Sequence, residues 1–277
     1  TTADTSIASS ELFILSYGME GQDAQMIKKG TSEAESLAVS FYAKANASAN
    51  YVVEVYDNDN TRNNTQAFTV TDSWQRFSFT FAPDTTGALD DDNALSFYPI
   101  QIWLHGGSNY SSGTFASNTW GSVTNANRYA GSRTSIFDST DREFFITGVQ
   151  VEVGSQDTPF EHRSFGEEMQ LCQRYFVRYS RNDNFGEFFL LRTYDTTNGT
   201  AAHHLPVPMR GSPTLETSTV NSSNFSYSLS ALSIGHASTN FQNVELFATG
   251  SFTANGAAVV QKADNTDEIV IDFKAEI

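Results

Sequence analysis

The stretch Ser36–Ala45, SLAVSFYAKA, decides the fold class because it alternates strictly between two sets of residues. One set is Leu37, Val39, Phe41 and Ala43, and the other is Ala38, Ser40, Tyr42 and Lys44. Successive side chains of a strand point to opposite faces, so this period of two predicts a strand with one buried face. Trp74–Phe81, WQRFSFTF, repeats the pattern with three phenylalanines at alternate positions.

Similar short segments continue on both sides of these two strands. The others that we predict are Tyr51–Tyr56, Ala67–Val70, Leu95–Leu104, Glu143–Val153, Phe176–Arg181, Gly186–Thr193, Ala201–Val207, Thr214–Thr219, Phe225–Ser230, Asn243–Ala248, Ala257–Ala263 and Glu268–Phe273. Short antiparallel strands separated by polar turns are typical of two-sheet sandwiches, and a jelly roll is favoured for the first half. The sequence therefore predicts an all-β protein.

One segment has the period of a helix instead. Ser164 and Glu167 have the spacing of a capping box, in which each side chain accepts from a free backbone N–H of the other residue. Met169, Leu171 and Cys172 follow as part of an apolar stripe, on which we expect Cys172 to be buried. We expect a jelly-roll β-sandwich at 1–162, a linking helix at 163–176 and a second, smaller β-sandwich at 177–277.

Composition restricts the function further. The chain of 277 residues has a formal net charge of −16, so it repels phosphate backbones and anionic membranes, and we predict neither nucleic-acid binding nor membrane insertion. The single cysteine excludes an internal disulfide framework, and the sequence has no apolar run of about 18 residues. The chain begins at Thr1 without an initiator methionine, and we expect a fragment or a processed product.

The sequence carries no motif for catalysis. It lacks the nucleophile-elbow, zinc-protease, P-loop and dinucleotide patterns. Glu167 and Glu168 are acidic neighbours, but negative charge at a helix start is explained by capping and by the helix dipole. His203 and His204 are adjacent in a predicted strand and therefore point to opposite faces, which disfavours a metal pair. We expect that the protein is not an enzyme.

Two turns are rich in carboxylates and are candidate calcium sites. The first contains Asp57 and Asp59, and the second contains Asp90, Asp91 and Asp92. Calcium takes six to eight oxygen ligands, so several carboxylates in one loop favour it. Neither turn has the spacing of an EF-hand. The alternative interpretation is that both are solvated turns without a cofactor.

A long polar segment is the candidate glycan-binding region. Residues 106–140, rich in Ser, Asn, Gly and Thr, separate two strands, and loops of this length in a compact domain are usually functional. Aromatic faces stack on sugar rings and amides bind hydroxyls, which selects Trp103, Tyr110, Trp120, Asn109 and Asn118. Trp103 alternates with apolar neighbours and is expected to face outward. Trp74, at the start of a strand, is expected to pack in the core.

The segment Ile146–Phe176, ITGVQVEVGSQDTPFEHRSFGEEMQLCQRYF, resembles one that recurs in phage tail-fibre and other virion appendage proteins. There it joins a carbohydrate-binding-module-like jelly roll to a C-terminal β-domain. Further segments that resemble this family are Glu20–Gln25, Ser40–Ala45, Val53–Asn60, Ser73–Asn93 and, more loosely, Pro206–Thr214 and the terminal DFKAEI. The resemblance implies a jelly-roll fold, membership of a virion and contact with glycans.

Two function classes follow from these observations. In the first, the chain is a bacteriophage virion structural protein, in a tail fibre or other surface appendage, that assembles with other virion proteins and contacts host-surface polysaccharide. Analogy with fibres favours a homotrimer at the extracellular virion surface. In the second, it is an accessory carbohydrate-binding module of a secreted polysaccharide-active enzyme.

Overall fold

A computed structural model of the chain describes residues 7–89, 97–181, 187–217, 228–237, 242–261 and 269–275. Strands make up 48% and helices 10%, which confirms the all-β prediction. The chain divides into two compact units, Thr1–His162 and Arg163–Ile277, and each has a hydrophobic core of its own.

Unit 1 consists of two antiparallel sheets. Its strands are β1 (Leu12–Glu20), β2 (Leu37–Ala45), β3 (Ala49–Asp57), β4 (Arg62–Val70), β5 (Gln75–Phe81), β6 (Phe97–Gly106), β7 (Gly121–Ser122) and β8 (Phe144–Val153). Two four-residue helices, α1 (Gly21–Ala24) and α2 (Ser108–Ser111), and two short 3₁₀ turns, Gln25–Ile27 and Asn125–Asn127, lie in its loops. One sheet has the order β1-β6-β3-β4-β7 and the other β5-β2-β8.

Phenylalanines dominate the core of unit 1. Phe41 of β2 is buried, and its ring lies 5.3 Å from the ring of Phe68 and 5.7 Å from that of Phe79. The ring of Tyr51 on β3 closes the cluster from the other sheet against Phe144 at 5.4 Å. These contacts join β2, β4, β5, β3 and β8, so the alternation read in the sequence is what fills the space between the sheets.

Strand β1 is an edge strand that the sequence did not predict. Among the described strands it pairs, antiparallel, with β6 alone. Its apolar residues do not alternate, because Leu12, Phe13, Leu15 and Tyr17 are all partly exposed to solvent. An edge strand that buries little on either face lacks the period-two signal.

Unit 2 begins with helix α3 (Phe165–Gln173) and continues as strands. These are β9 (Phe176–Arg181), β10 (Glu187–Thr193), β11 (Asn198–His204), β12 (Thr214–Thr217), β13 (Ser228–Ala237), β14 (Asn243–Ser251), β15 (Gly256–Gln261) and β16 (Ile269–Lys274). The sheets have the orders β13-β14-β11-β10-β15 and β12-β16-β9. Leu191, Leu246, Ile271 and Phe273 are buried in the core of this unit.

Helix α3 confirms the predicted capping box. The Ser164 hydroxyl accepts from the Glu167 N–H at 3.3 Å, and the Glu167 carboxylate accepts from the Ser164 N–H at 2.9 Å. The predicted burial of Cys172 is wrong, because Cys172 is exposed and no residue of α3 is buried. The helix is thus fixed by its cap and its chain connection rather than by its apolar stripe. No helix in the described ranges is long and apolar enough to cross a membrane.

Candidate functional site

The long polar segment, residues 106–140, is anchored to the outer face of the five-stranded sheet by one buried carboxylate. Glu54 of β3 is fully buried and accepts a hydrogen bond from the Trp103 indole N–H at 2.5 Å. Arg128, within the polar segment, donates to both oxygens of Glu54 at 2.8 and 2.9 Å, and Asn63 donates at 2.6 Å. A buried carboxylate is stable only with such partners, so this cluster fixes the polar segment on the sheet.

Trp103 belongs to this anchor and does not face solvent. Its ring is fully buried between Tyr110 and Tyr129, at centroid distances of 5.5 and 6.1 Å, and the Arg128 guanidinium lies 4.6 Å from it. The prediction that Trp103 faces outward is therefore wrong. It does point away from the sandwich core, but the polar segment covers that face of the sheet, so its ring has no surface for a sugar.

The other four predicted glycan-binding residues make separate contacts and do not form one common surface. The ring of Tyr110 is packed on Trp103, and the backbone N–H of Asn109 donates to Ser9 O at 2.9 Å. The half-buried Trp120 donates its indole N–H to Ala82 O at 2.6 Å, and the Asn118 side chain accepts from Ala82 N at 3.4 Å. These contacts attach the polar segment to the end of β5. They do not assemble one aromatic face with amides around it.

The first predicted calcium turn contains an ammonium group where a metal ion was expected. Asp57 is fully buried, and its carboxylate lies 2.5 Å from Lys29 Nζ. The same Nζ lies 3.2 Å from the Asp84 carboxylate and donates at 2.8 Å to the carbonyl oxygens of Thr86 and Gly87. Asp57 is thus neither a solvated turn residue nor a carboxylate available to a metal ion, because a lysine of the same chain neutralises it.

Of the remaining calcium candidates, only Asp59 lies within the described residues. Asp59 is exposed, and Asp90, Asp91 and Asp92 lie outside the described residues. In the described part of the chain, no three side chains of His, Cys, Asp or Glu come together as a metal-binding group. Burial acts to raise the pKa of Asp84, but hydrogen bonds from Arg62, the Thr86 backbone and Lys29 lower it below its ordinary value. Asp84 is therefore held as a carboxylate.

Three exposed aromatic side chains of unit 1 form a group with a lysine on the outer face of the β5-β2-β8 sheet. Lys44 of β2 pairs directly with Phe145 of β8, and Trp74 precedes β5 on the other side of β2. Lys44 Nζ lies 5.4 Å from the Trp74 ring centroid and 5.0 Å from that of Phe145. Trp74, Phe145 and the neighbouring Tyr42 are 48%, 40% and 36% exposed. We call these four residues the aromatic surface.

A polar segment that follows β8, residues 155–161, covers the other end of the same sheet face, and we call it the strap. Its contacts with the sheet are Thr80 Oγ1 to Ser155 O at 2.9 Å, Arg76 to Asp157 at 2.6 Å, Thr158 N to Glu152 at 2.9 Å and Glu161 N to Gln150 Oε1 at 2.8 Å. The strap therefore satisfies the polar residues of this face and leaves the aromatic surface uncovered.

Lys44 differs from its neighbour Arg76 in the contacts that hold its charge. Arg76, one row away on the same face, is paired with Asp157 of the strap. By contrast, the structure shows no ion pair for Lys44 among the residues it describes. Its ammonium is held by two rings through cation–π contacts, which favour Trp most. This leaves three N–H donors beside two exposed ring faces.

This group was not predicted from the sequence, and one of its members was predicted at the wrong place. Trp74 was expected in the core, but it is the most exposed tryptophan described. The signal was present, because Phe77, Phe79 and Phe81 occupy the odd positions that face inward, and Trp74 has the opposite parity.

Comparison of the chain with protein-family models, with curated proteins and with solved structures gave no match.

Proposed function

We propose that this chain is a structural protein of a bacteriophage virion, part of a tail fibre or other surface appendage, and that unit 1 contacts polysaccharide on the host surface. In this proposal unit 1 is a carbohydrate-binding-module-like jelly roll and unit 2 is a smaller β-sandwich, and the protein is not an enzyme. The resemblance of Ile146–Phe176 to appendage proteins supports the virion assignment.

The observation that carries the binding role is the aromatic surface. Exposed rings on the face of a sheet offer apolar surface for the C–H groups of sugars, and Lys44 offers hydrogen-bond donors beside them. The five residues chosen from the sequence do not supply such a face, since Trp103 is buried and Tyr110 and Trp120 are packed against the sheet. We therefore assign the contact to the aromatic surface and treat residues 106–140 as structural.

Two measurements test this proposal. Antibodies against the purified chain should label intact phage particles in electron micrographs, and the chain should be found among the virion proteins by mass spectrometry. The purified protein should also compete with phage for adsorption to the host bacterium. Particles without label or matching peptides would refute the virion assignment, and adsorption that is insensitive to excess protein would refute the host contact.

We further propose a homotrimer, in which three copies bind one surface together. Weak individual contacts then give strong attachment, because the second and third contacts form at high effective concentration. Light scattering of the purified protein at micromolar concentration should give three times the mass of one chain. A monomer under these conditions would contradict the trimer.

A further inference from the structure

We infer that the aromatic surface binds an uncharged, hydroxyl-rich polysaccharide, with Trp74 and Phe145 as stacking faces and Lys44 as the hydrogen-bond donor between them. The inference rests on the proposed function, since it names the class of host polymer that unit 1 contacts. It concerns residues on the outer face of the β5-β2-β8 sheet of unit 1, not the polar segment 106–140.

The spacing of the rings suits an extended polymer rather than a single small ligand. Trp74 and Phe145 flank β2 from the two neighbouring strands, so they stand about two strand spacings apart, roughly 10 Å. Lys44 lies between them, with its Nζ within 5.4 Å of both centroids. A chain of sugars laid across the strands would meet a ring, then the ammonium group, then a second ring.

The free ammonium group argues against an apolar occupant. Covering Lys44 with lipid tails or with an aliphatic protein surface would remove its water without replacing the hydrogen bonds, which is costly for a charged group. Sugar hydroxyls replace those hydrogen bonds while their ring C–H groups cover Trp74 and Phe145. The exposed Thr147, which pairs with Tyr42, adds a further hydroxyl beside the surface.

The charge of the whole protein argues against an acidic polymer. The formal net charge is −16, so an approaching polyanion meets net repulsion from the protein. The nearby Arg76 offers no compensation, because Asp157 of the strap already neutralises it. One lysine is a weak basis for binding a polyanion but a sufficient donor for a neutral sugar.

The test uses polysaccharide extracted from the host envelope and separated by anion exchange into a neutral and an acidic fraction. The intact wild-type protein should be retarded in gels that contain the neutral fraction, and salt should change this little. Trp74→Ala and Phe145→Ala should each weaken retention at least about tenfold, because each removes a stacking face. Lys44→Met, which keeps the apolar stem, should weaken it as well.

A matched control is Phe165→Ala, which removes an exposed phenylalanine of unit 2 and should leave retention unchanged. Melting temperatures of all variants should equal that of the wild type, which shows that the lost binding is not lost folding. If a variant is unstable, Trp74→Phe keeps a ring at that position and should retain binding.

Several outcomes would overturn the inference, and they differ from failure of the proposed function. Retention by the acidic fraction alone, with strong salt dependence, would refute the ligand class. Co-sedimentation with phosphatidylcholine vesicles in place of retention would show a membrane surface. Wild-type protein that blocks phage adsorption but is not retarded by the neutral fraction would leave the host contact standing and refute the inference. If the variants lose retention by the neutral fraction but the chain is absent from virions, the inference stands and the virion assignment is refuted.

Discussion

At the scale of single residues, Lys29 is a side chain whose loss should strongly destabilise unit 1. Its ammonium group neutralises Asp57 and contacts Asp84, and its side chain is 1% exposed. Lys29→Met leaves Asp57 buried without the ammonium that neutralises it, so we expect unit 1 to lose about 3–5 kcal/mol of unfolding free energy. Urea titration followed by tryptophan fluorescence measures the loss.

Lys28→Met is the matched control for this change. Lys28 is half exposed, and it lies 3.7 Å from Glu33 and from Glu35, so its replacement should cost less than about 1 kcal/mol. Equal effects of the two substitutions would show that the buried ion pairs of Lys29 stabilise unit 1 no more than the exposed ion pairs of Lys28. The wild type should also melt at the same temperature with calcium or with a chelator, since Lys29 already supplies the positive charge.

A second residue-scale prediction concerns His203 in unit 2. Its ring lies among those of Tyr179, Phe189 and Phe273, at 5.0, 4.7 and 5.5 Å. Its Nε2 is buried and has no hydrogen-bond partner among the described residues. Burial, with the neighbouring His204 as a smaller cause, lowers its pKa below the ordinary 6.5. The unfolded chain then binds a proton that the folded unit does not, so stability falls as the pH drops below about 6.5.

The substitution His203→Phe tests this pH dependence. Phenylalanine fits the same ring cluster and has no titrating group, so the loss of stability below pH 6.5 should become smaller. His204→Gln, at an exposed position, should change the profile little. Thermal unfolding between pH 5 and 7.5 gives both profiles, and an unchanged slope in the His203→Phe protein would refute the assignment.

The positions of single side chains were predicted correctly only where the alternation within one strand determines the face on which they lie. The opposite faces of His203 and His204 followed from strand geometry, and the structure confirms them. Trp103 was correctly placed on the face away from the core, but its burial depends on Arg128 and the polar segment, which are distant in sequence. The partner of Asp57 is Lys29, almost thirty residues away, so no turn-based rule indicated it.

At the scale of elements, helix α3 is held mainly by its N-terminal cap. No residue of it is buried, and a nine-residue helix is marginal without packing or capping. Ser164→Ala removes the hydroxyl that accepts from Glu167 N–H and should weaken the helix by about 1 kcal/mol. Amide hydrogen exchange over 165–173 should become about fivefold faster, whereas Ser180→Ala, at an exposed position on β9, should not change it.

The elements that the sequence predicted share a strong local signal, and the missed ones lack it. The capping box and the helical stripe located α3, and strict alternation located β2 and β5. The edge strand β1 has no alternation because it is exposed on both faces, so its pairing with β6 was not foreseen. The strap has no regular structure, and its position is set by contacts with side chains of the sheet, such as Arg76 and Gln150.

At the scale of the whole molecule, the all-β class followed from composition and period, but the site did not. Aromatic and β-branched residues at alternate positions specify sheet wherever they occur. Which sheet face remains exposed depends on where the polar loops pack. Strand periodicity predicts that the faces under 106–140 and under the strap are exposed to solvent, but these two segments cover them. The aromatic surface is the part of the β5-β2-β8 face that the strap leaves uncovered.

The last prediction is that the two units unfold separately, because each contains a complete core. Phe41 is buried in unit 1 and Phe273 in unit 2, and the two clusters share no residue. Calorimetry should therefore resolve two transitions. Phe41→Ala should lower the temperature of one transition only, and Phe273→Ala that of the other. Each substitution should reduce the unfolding free energy of its own unit by about 3–5 kcal/mol. The fragments 1–162 and 163–277, expressed alone, should each show one cooperative transition that matches its counterpart in the full chain. If either substitution shifts both transitions together, the units form one cooperative structure, and the separate cores do not define folding units.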